Sequence, residues 1–178
     1  MMWPYILIGI VAIVVVFVIT VALRPEDFCV TRSATMGAAP AVVFAQVNDF
    51  HKWREWSPWA KLDPTAKETF EGPSAGTGAG FGWAGNSKVG AGHMVITESR
   101  PSDLIRIKLE FLKPFKATNT TEFTFKAEGG QTLVTWSMIG KNNFMSKAFG
   151  LFVDCDKMIG KDFEKGLASM KTVSEAAG

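Results

Sequence analysis

No Asp, Glu, Lys or Arg occurs in the first twenty-three residues of this 178-residue chain, and every charge lies beyond them. Trp3 to Leu23, read as a helix at about 1.5 Å per residue, covers the ~30 Å hydrocarbon thickness of a bilayer. Cysteine is scarce. Cys29 and Cys155 are the only two, far apart and without CxxC or Cys/His spacing, which excludes a zinc-type centre; they read as small buried hydrophobes, with a disulfide left open. No Lys/Arg run with interleaved aromatics appears and the net charge is only +2, so nucleic-acid binding is excluded. The chain also lacks a Ser-His-Asp arrangement, paired carboxylates and the Lys-Ser/Thr ending of a phosphate loop. Gly76 to Gly82 alternates glycine outside the strand-turn-helix context of a dinucleotide site. Neither a metal nor a cofactor is called for.

What the opening segment contains is Ile and Val from Ile8 to Val21, too long a run for a strand. A cleaved signal would start with a positive charge, carry a shorter apolar stretch and end on a small-x-small site. Here Met-Met-Trp-Pro-Tyr opens the chain, and Thr20 and Ala22 make a poor cleavage site. A retained single-pass anchor over residues 1–24 is expected, followed by one domain over 25–178. Trp3 and Tyr5 serve as interfacial residues at one end, with Arg24 and Pro25 as the stop at the other. Arg24 and Arg32 follow the span, and the positive-inside rule places the domain in the cytoplasm.

The domain reads as strand, short helices, several strands and a long helix. Phe28 to Ala34 alternates as a first strand, and Pro40 opens a helix that ends near Asn48-Asp49. A short turn with Phe50, Trp53 and Trp56 stops at Ser57-Pro58. Turn signals then recur about every ten residues, as in an antiparallel meander. Ile105, Ile107, Leu109 and Phe111 share one face of a strand against Arg106, Lys108 and Glu110; Phe123 with Phe125, Val134 with Trp136 and Met138, and Met94 with Ile96 repeat that pattern. His93 falls on the opposite face, and His51 beside Lys52 reads as a surface residue. Asn119-Thr120-Thr121 matches a glycosylation sequon. From Ala148 through Phe152, Cys155, Ile159 and Phe163 to Met170 the spacing becomes helical, which predicts one long amphipathic helix. Gly150, Gly160 and Gly166 inside it each cost about 1 kcal/mol relative to alanine and imply a close approach, a bend or room for something else.

Pro40-Ala41-Val42-Val43-Phe44, the stretch from Asn48 to Trp53, Trp56-Ser57-Pro58-Trp59 and Asp162-Phe163-Glu164-Lys165-Gly166-Leu167, in this order of elements, resemble the START/Bet v 1-like (SRPBCC) superfamily, in its bacterial polyketide cyclase/dehydrase and lipid-transport branch. The resemblance spans Phe28 to Lys171. It implies an α+β helix-grip fold, a curved antiparallel sheet wrapped around a long C-terminal helix, and a cavity for an apolar or aromatic molecule. The residues placed to line it are Phe81, Trp83, Phe111, Phe123, Phe125, Trp136 and Met138 from the sheet, with Phe152, Ile159 and Phe163 from the helix. Glycine at every second position from Gly78 to Gly82 leaves one strand face nearly bare, for ligand space or for a bulky neighbour. Trp53, Trp56 and Trp59 stand too close together for all to enter the interior. A membrane-anchored binding or transport protein for a hydrophobic small molecule or lipid is the first reading. A cyclase or dehydratase-like enzyme using the same cavity, and an interaction module with a filled core, are the alternatives; oligomeric state is not legible.

Overall fold

The computed structural model describes residues 3–177. Helix α1 (Trp3–Ala22) is the one described helix long and apolar enough to cross a membrane. Its described side chains are exposed except that of Val21, which is fully buried. The Thr20 hydroxyl donates to the carbonyl of Val16 at 2.8 Å, so that polar group is satisfied within the helix.

Beyond a four-residue link, β1 (Asp27–Met36) starts a seven-stranded antiparallel sheet with β2 (Lys67–Glu71), β3 (Gly80–Ala84), β4 (Ala91–Arg100), β5 (Leu104–Lys113), β6 (Ala117–Glu128) and β7 (Gln131–Lys141). The order is β1-β7-β6-β5-β4-β3-β2, a meander closed by the first strand pairing with the last. Between β1 and β2 lie α2 (Pro40–Asn48), a single 3-10 turn (Phe50–Lys52) and α3 (Trp53–Trp56). Pro40 takes the first helical position, where its missing N–H costs nothing. α4 (Phe144–Phe149) and α5 (Cys155–Ala177) follow the sheet, and α5 packs on β1, α2 and α3.

Register carries the expected faces into the core. Val30, Met138, Thr121, Ile107 and Ile96 form one row across the inner face, and Arg32, Trp136, Phe123 and Ile105 form the next. The outer face is polar: Thr31 bonds Ser137, Ser33 bonds Thr135, and Arg106 pairs with both Glu98 and Glu122. This is the α+β helix-grip architecture.

Two expectations change, for the last helix and for the cysteines. The helical stripe after Gly140 is two helices. Asn143 Oδ1 accepts the Ser146 N–H at 2.8 Å to start α4, Gly150 closes it, and Asp154 Oδ1 accepts the Lys157 N–H at 2.9 Å to start α5. Cys29 is exposed and Cys155 half-buried, both free thiols rather than core hydrophobes. Asn119 lies on the inner face and is buried, which removes the sequon from any glycosylating enzyme in the folded chain. Trp53 and Trp56 enter the interior while Trp59 stays half-buried, so the three do not all go inside; Trp53 Nε1 donates to the Val47 carbonyl and Trp56 Nε1 to the Gln46 carbonyl, each at 3.0 Å.

The glycines inside α5 are explained by what crosses them. A Cβ on Gly166 would stand 2.8 Å from the Trp136 ring and 3.1 Å from Pro58. A Cβ on Gly160 would stand 1.9 Å from Arg32 Nη2. Arg32 reaches from β1 to Asp156 (3.0 Å) and Glu164 (2.9 Å), one turn to either side of Gly160, and these bonds raise its pKa above the ordinary value, Asp156 first. Gly160 is thus the saddle for an ion-paired clamp. Ordinarily Gly→Ala inside a helix gains about 1 kcal/mol. Here Gly160→Ala is expected to lower stability, and to recover that gain of about 1 kcal/mol only in an Arg32→Ala background. Urea unfolding of the full chain in detergent micelles checks this cycle; equal gains in both backgrounds would remove the clamp.

Candidate functional site

The deep half of the grip is filled by aromatic side chains. Trp136 stacks on Phe163 with centroids 4.0 Å apart and planes at 7°, and on Phe123 at 4.8 Å and 29°. Trp56 and Trp59 meet Trp136 edge-on at 5.7 and 5.8 Å. Trp136 Nε1 and Gln46 Oε1 are buried there without hydrogen-bond partners. Each such group costs about 1–3 kcal/mol unless a water or a ligand group meets it.

Five of the expected lining residues, Phe123, Phe125, Trp136, Met138 and Phe163, are buried in this core. Phe81, Trp83, Phe111 and Ile159 are half-buried and pack against its edge. Phe152 requires a correction: it lies in the turn between α4 and α5, 81 % exposed, because α5 begins only at Cys155, three residues after it.

The half-buried aromatics, continued by exposed Phe70, form a strip along the β2–β5 part of the inner face. Phe70 meets Phe81 at 5.3 Å, Phe81 stacks on Trp83 at 6.1 Å, and Trp83 meets Phe111 edge-on at 6.1 Å. Trp83 lies flat over Gly92, where a Cβ would come within 2.3 Å of the ring, and its Nε1 donates to the Val89 carbonyl at 3.0 Å. Gly92 therefore lets the indole lie down as a wall of the strip. At its Phe70 end is a recess of about 220 Å³ whose lining includes Phe50, His51, Phe70, Pro73 and Ala79. The His51 ring stacks on Phe70 at 4.0 Å and 13°, and its Nδ1 lies 2.8 Å from Asp49 Oδ1, which also accepts the His51 backbone N–H. Phe70 and the recess escape sequence reading because β2 is a five-residue edge strand with little alternation. A larger depression, about 360 Å³, runs along the outer side of α5 among Asp154, Lys157, Met158, Lys161, Asp162 and Lys165. Its charged, open lining makes it a poor apolar site, and the strip is the better candidate.

His93 takes the outer face, as its register requires, with Nε2 3.8 Å from Glu71 Oε2. It also settles the bare glycine face. Cβ atoms on Gly80 and Gly82 would lie 3.5 and 3.6 Å from the His93 ring, and one on Gly82 only 2.6 Å from Thr69 Oγ1. A bulky neighbour, not ligand space, occupies that surface. Among the described residues no three His, Cys, Asp or Glu side chains gather as a metal site. The arrangement can hold an apolar, flat or chain-like molecule by contact, with one carboxylate-oriented imidazole at the rim.

Residues 27–175 match the family described as polyketide cyclase / dehydrase and lipid transport. The chain belongs to that family. No match was found among curated proteins. Solved structures share the fold. The Mll3558 protein from Rhizobium loti is 17 % identical with a TM-score of 0.63, over 82 % of this chain and 96 % of that one. The Aha1 dimer from Colwellia psychrerythraea is 13 % identical, TM-score 0.60, over 83 % and 96 %. Ara h 8.0201 is 11 % identical, TM-score 0.55, over 85 % and 97 %. At these identities they speak for the fold of this polyketide cyclase/lipid-transport family member and not for its ligand.

Proposed function

We propose that this chain is a membrane-anchored binding or transport protein for a hydrophobic small molecule or lipid, with α1 crossing the bilayer once and the domain on the cytoplasmic side. The observation that carries the reading is the strip Phe70–Phe81–Trp83–Phe111, left open beside an otherwise filled core. Flat aromatic walls with no ordered set of charges favour an apolar ligand over a phosphorylated sugar or nucleotide. The family to which the chain belongs supports the same class of ligand. Tethering four residues from an apolar helix keeps the strip beside the phase in which such ligands dissolve.

Solvent extraction of the purified full chain, followed by mass spectrometry, tests it. An anchor-only fusion carrying residues 1–26 subtracts lipid bound merely around α1. About one apolar molecule per chain is expected beyond that background, and Trp83→Ala is expected to weaken its retention about tenfold, the equivalent of ~1.4 kcal/mol of lost contact. Identical extracts from the full chain and the fusion would sink the reading. A reporter fused after Gly178 reads the side of the membrane.

A further inference from the structure

The domain carries its exposed apolar side chains at one end. Apart from Leu62 and Phe70, they belong to α4 and the turn after it, the β5–β6 hairpin, the end of β7 and the first turn of α5. Met145 is 72 % exposed, Phe152 81 %, and Phe115 at the hairpin tip 79 %, with Phe144 and Phe149 also open. Exposed apolar side chains gathered at one end in this way mark an interaction site. Register places these parts together: Asp27 pairs with Lys141 where the sheet receives the link from α1, and the hairpin tip extends roughly 10 Å past that level at about 3.3 Å per residue.

The same end is fastened to α1. α1 packs against α4, and Val21, near its C-terminal end, is the one buried side chain described in α1. Arg24 Nη1 stands 3.2 Å from where a Cβ on Gly150 would sit, and Lys147 Nζ lies 3.8 Å from Glu26 Oε1 with its side chain 10 % exposed. The Asn142 N–H donates to the Glu26 carbonyl at 2.6 Å. Even fully extended, the link from Leu23 to Glu26 spans at most about 14 Å.

We infer that α4 and its following turn, with the β5–β6 hairpin tip beside them, form a second membrane-contact element that rests in the headgroup region of the leaflet from which α1 emerges. The inference rests on α1 spanning the bilayer. If it spans from Trp3 to Ala22, Val21 and Arg24 stand at the leaflet boundary, and α4, packed on that end, stands at the same depth. Phe144, Phe149 and Phe152 then occupy the zone where aromatic rings partition best. Exposed Lys113, Lys116 and Lys141 at this end complement anionic headgroups. The docking orients the grip as well, since Trp83, Gly92 and Phe111 form the strip's row nearest the hairpin tip. The Trp83–Phe111 end of the aromatic strip therefore lies nearer the lipid, with the recess at Phe70 one row farther from it.

Depth-dependent quenching on the full chain tests this, in vesicles of phosphatidylcholine with phosphatidylglycerol. A Cys29→Ser/Cys155→Ser background accepts an environment-sensitive fluorophore at Phe149→Cys, Phe115→Cys, Glu128→Cys or Ile13→Cys, and nitroxide-labelled lipids act as quenchers. Positions 149, 115, 128 lie on exposed surface, so circular dichroism is expected to be unchanged. Quenching and blue-shifted emission at 13, 149 and 115, with none at 128 in the far hairpin, is the expected result. Quenching at 13 with positions 149 and 115 as unquenched as 128 would overturn the second contact while leaving the anchor in place. No quenching at 13 would remove the spanning helix and this inference together.

Discussion

A chain lacking residues 1–24 is expected to fold and to be released entirely from membranes by alkaline carbonate, while the full chain remains in the pellet after the same extraction. Apolar residues at the centre of a span each favour insertion by ~0.3–0.6 kcal/mol, so a helix of the length of α1 is held by roughly 5–10 kcal/mol, against about 2.5–3.5 kcal/mol lost per central arginine. Val14→Arg should therefore loosen retention, and the Ile10→Arg/Val14→Arg pair should abolish it. The fold has little to lose by the truncation, since Val21 is the only buried side chain described in α1, and the family match begins at residue 27. Intact mass of the chain recovered from cells separates anchor from signal. A mature protein beginning after Ala22 would defeat the retained anchor, as would a truncated chain that still pelleted after alkaline carbonate.

Legibility in the sequence follows how local the deciding interaction is. Pro40 set the start of α2, and Ser57-Pro58 the end of α3, because proline acts on its own and the preceding residue. Ile105, Ile107 and Leu109 pointed inward as their alternation required, and the same parity put His93 outside. The break between α4 and α5 was hidden for the opposite reason. Ala148, Phe152 and Cys155 keep helical spacing across it, and only the caps at Asn143 and Asp154, ordinary polar residues in composition, reveal two helices.

The site was legible as a set of aromatic residues but not in its division of labour. Period-two patterning places Phe123, Trp136 and Phe111 on one face without saying which of them meets α5 and which reaches the open edge. That division is made by residues distant in sequence: Pro58 and Gly166 close over Trp136, whereas Gly92 merely lets Trp83 lie flat. The glycine series from Gly78 to Gly82 carried the same ambiguity. Whether the bare face met a ligand or a neighbour depended on His93, which sits on the next strand.

Trp136→Ala tests that division most severely and is expected to cost ~3–5 kcal/mol, the range for truncating a fully packed aromatic core residue. The ring lies between Phe123 and Phe163, is met edge-on by Trp56 and Trp59, and fills the notch left by Gly166, so collapse around the vacancy would need several elements to move at once. Urea unfolding of the full chain in micelles measures it. Trp136→Phe should lose much less, because it keeps the stack and removes an indole N–H that has no partner. Trp83→Ala, at the half-buried strip, should in turn cost less stability than Trp136→Ala while weakening ligand retention. If Trp136→Ala instead left stability within about 1 kcal/mol of the parent and emptied the protein of its apolar ligand, the deep interior would be the binding cavity, and the strip merely its rim.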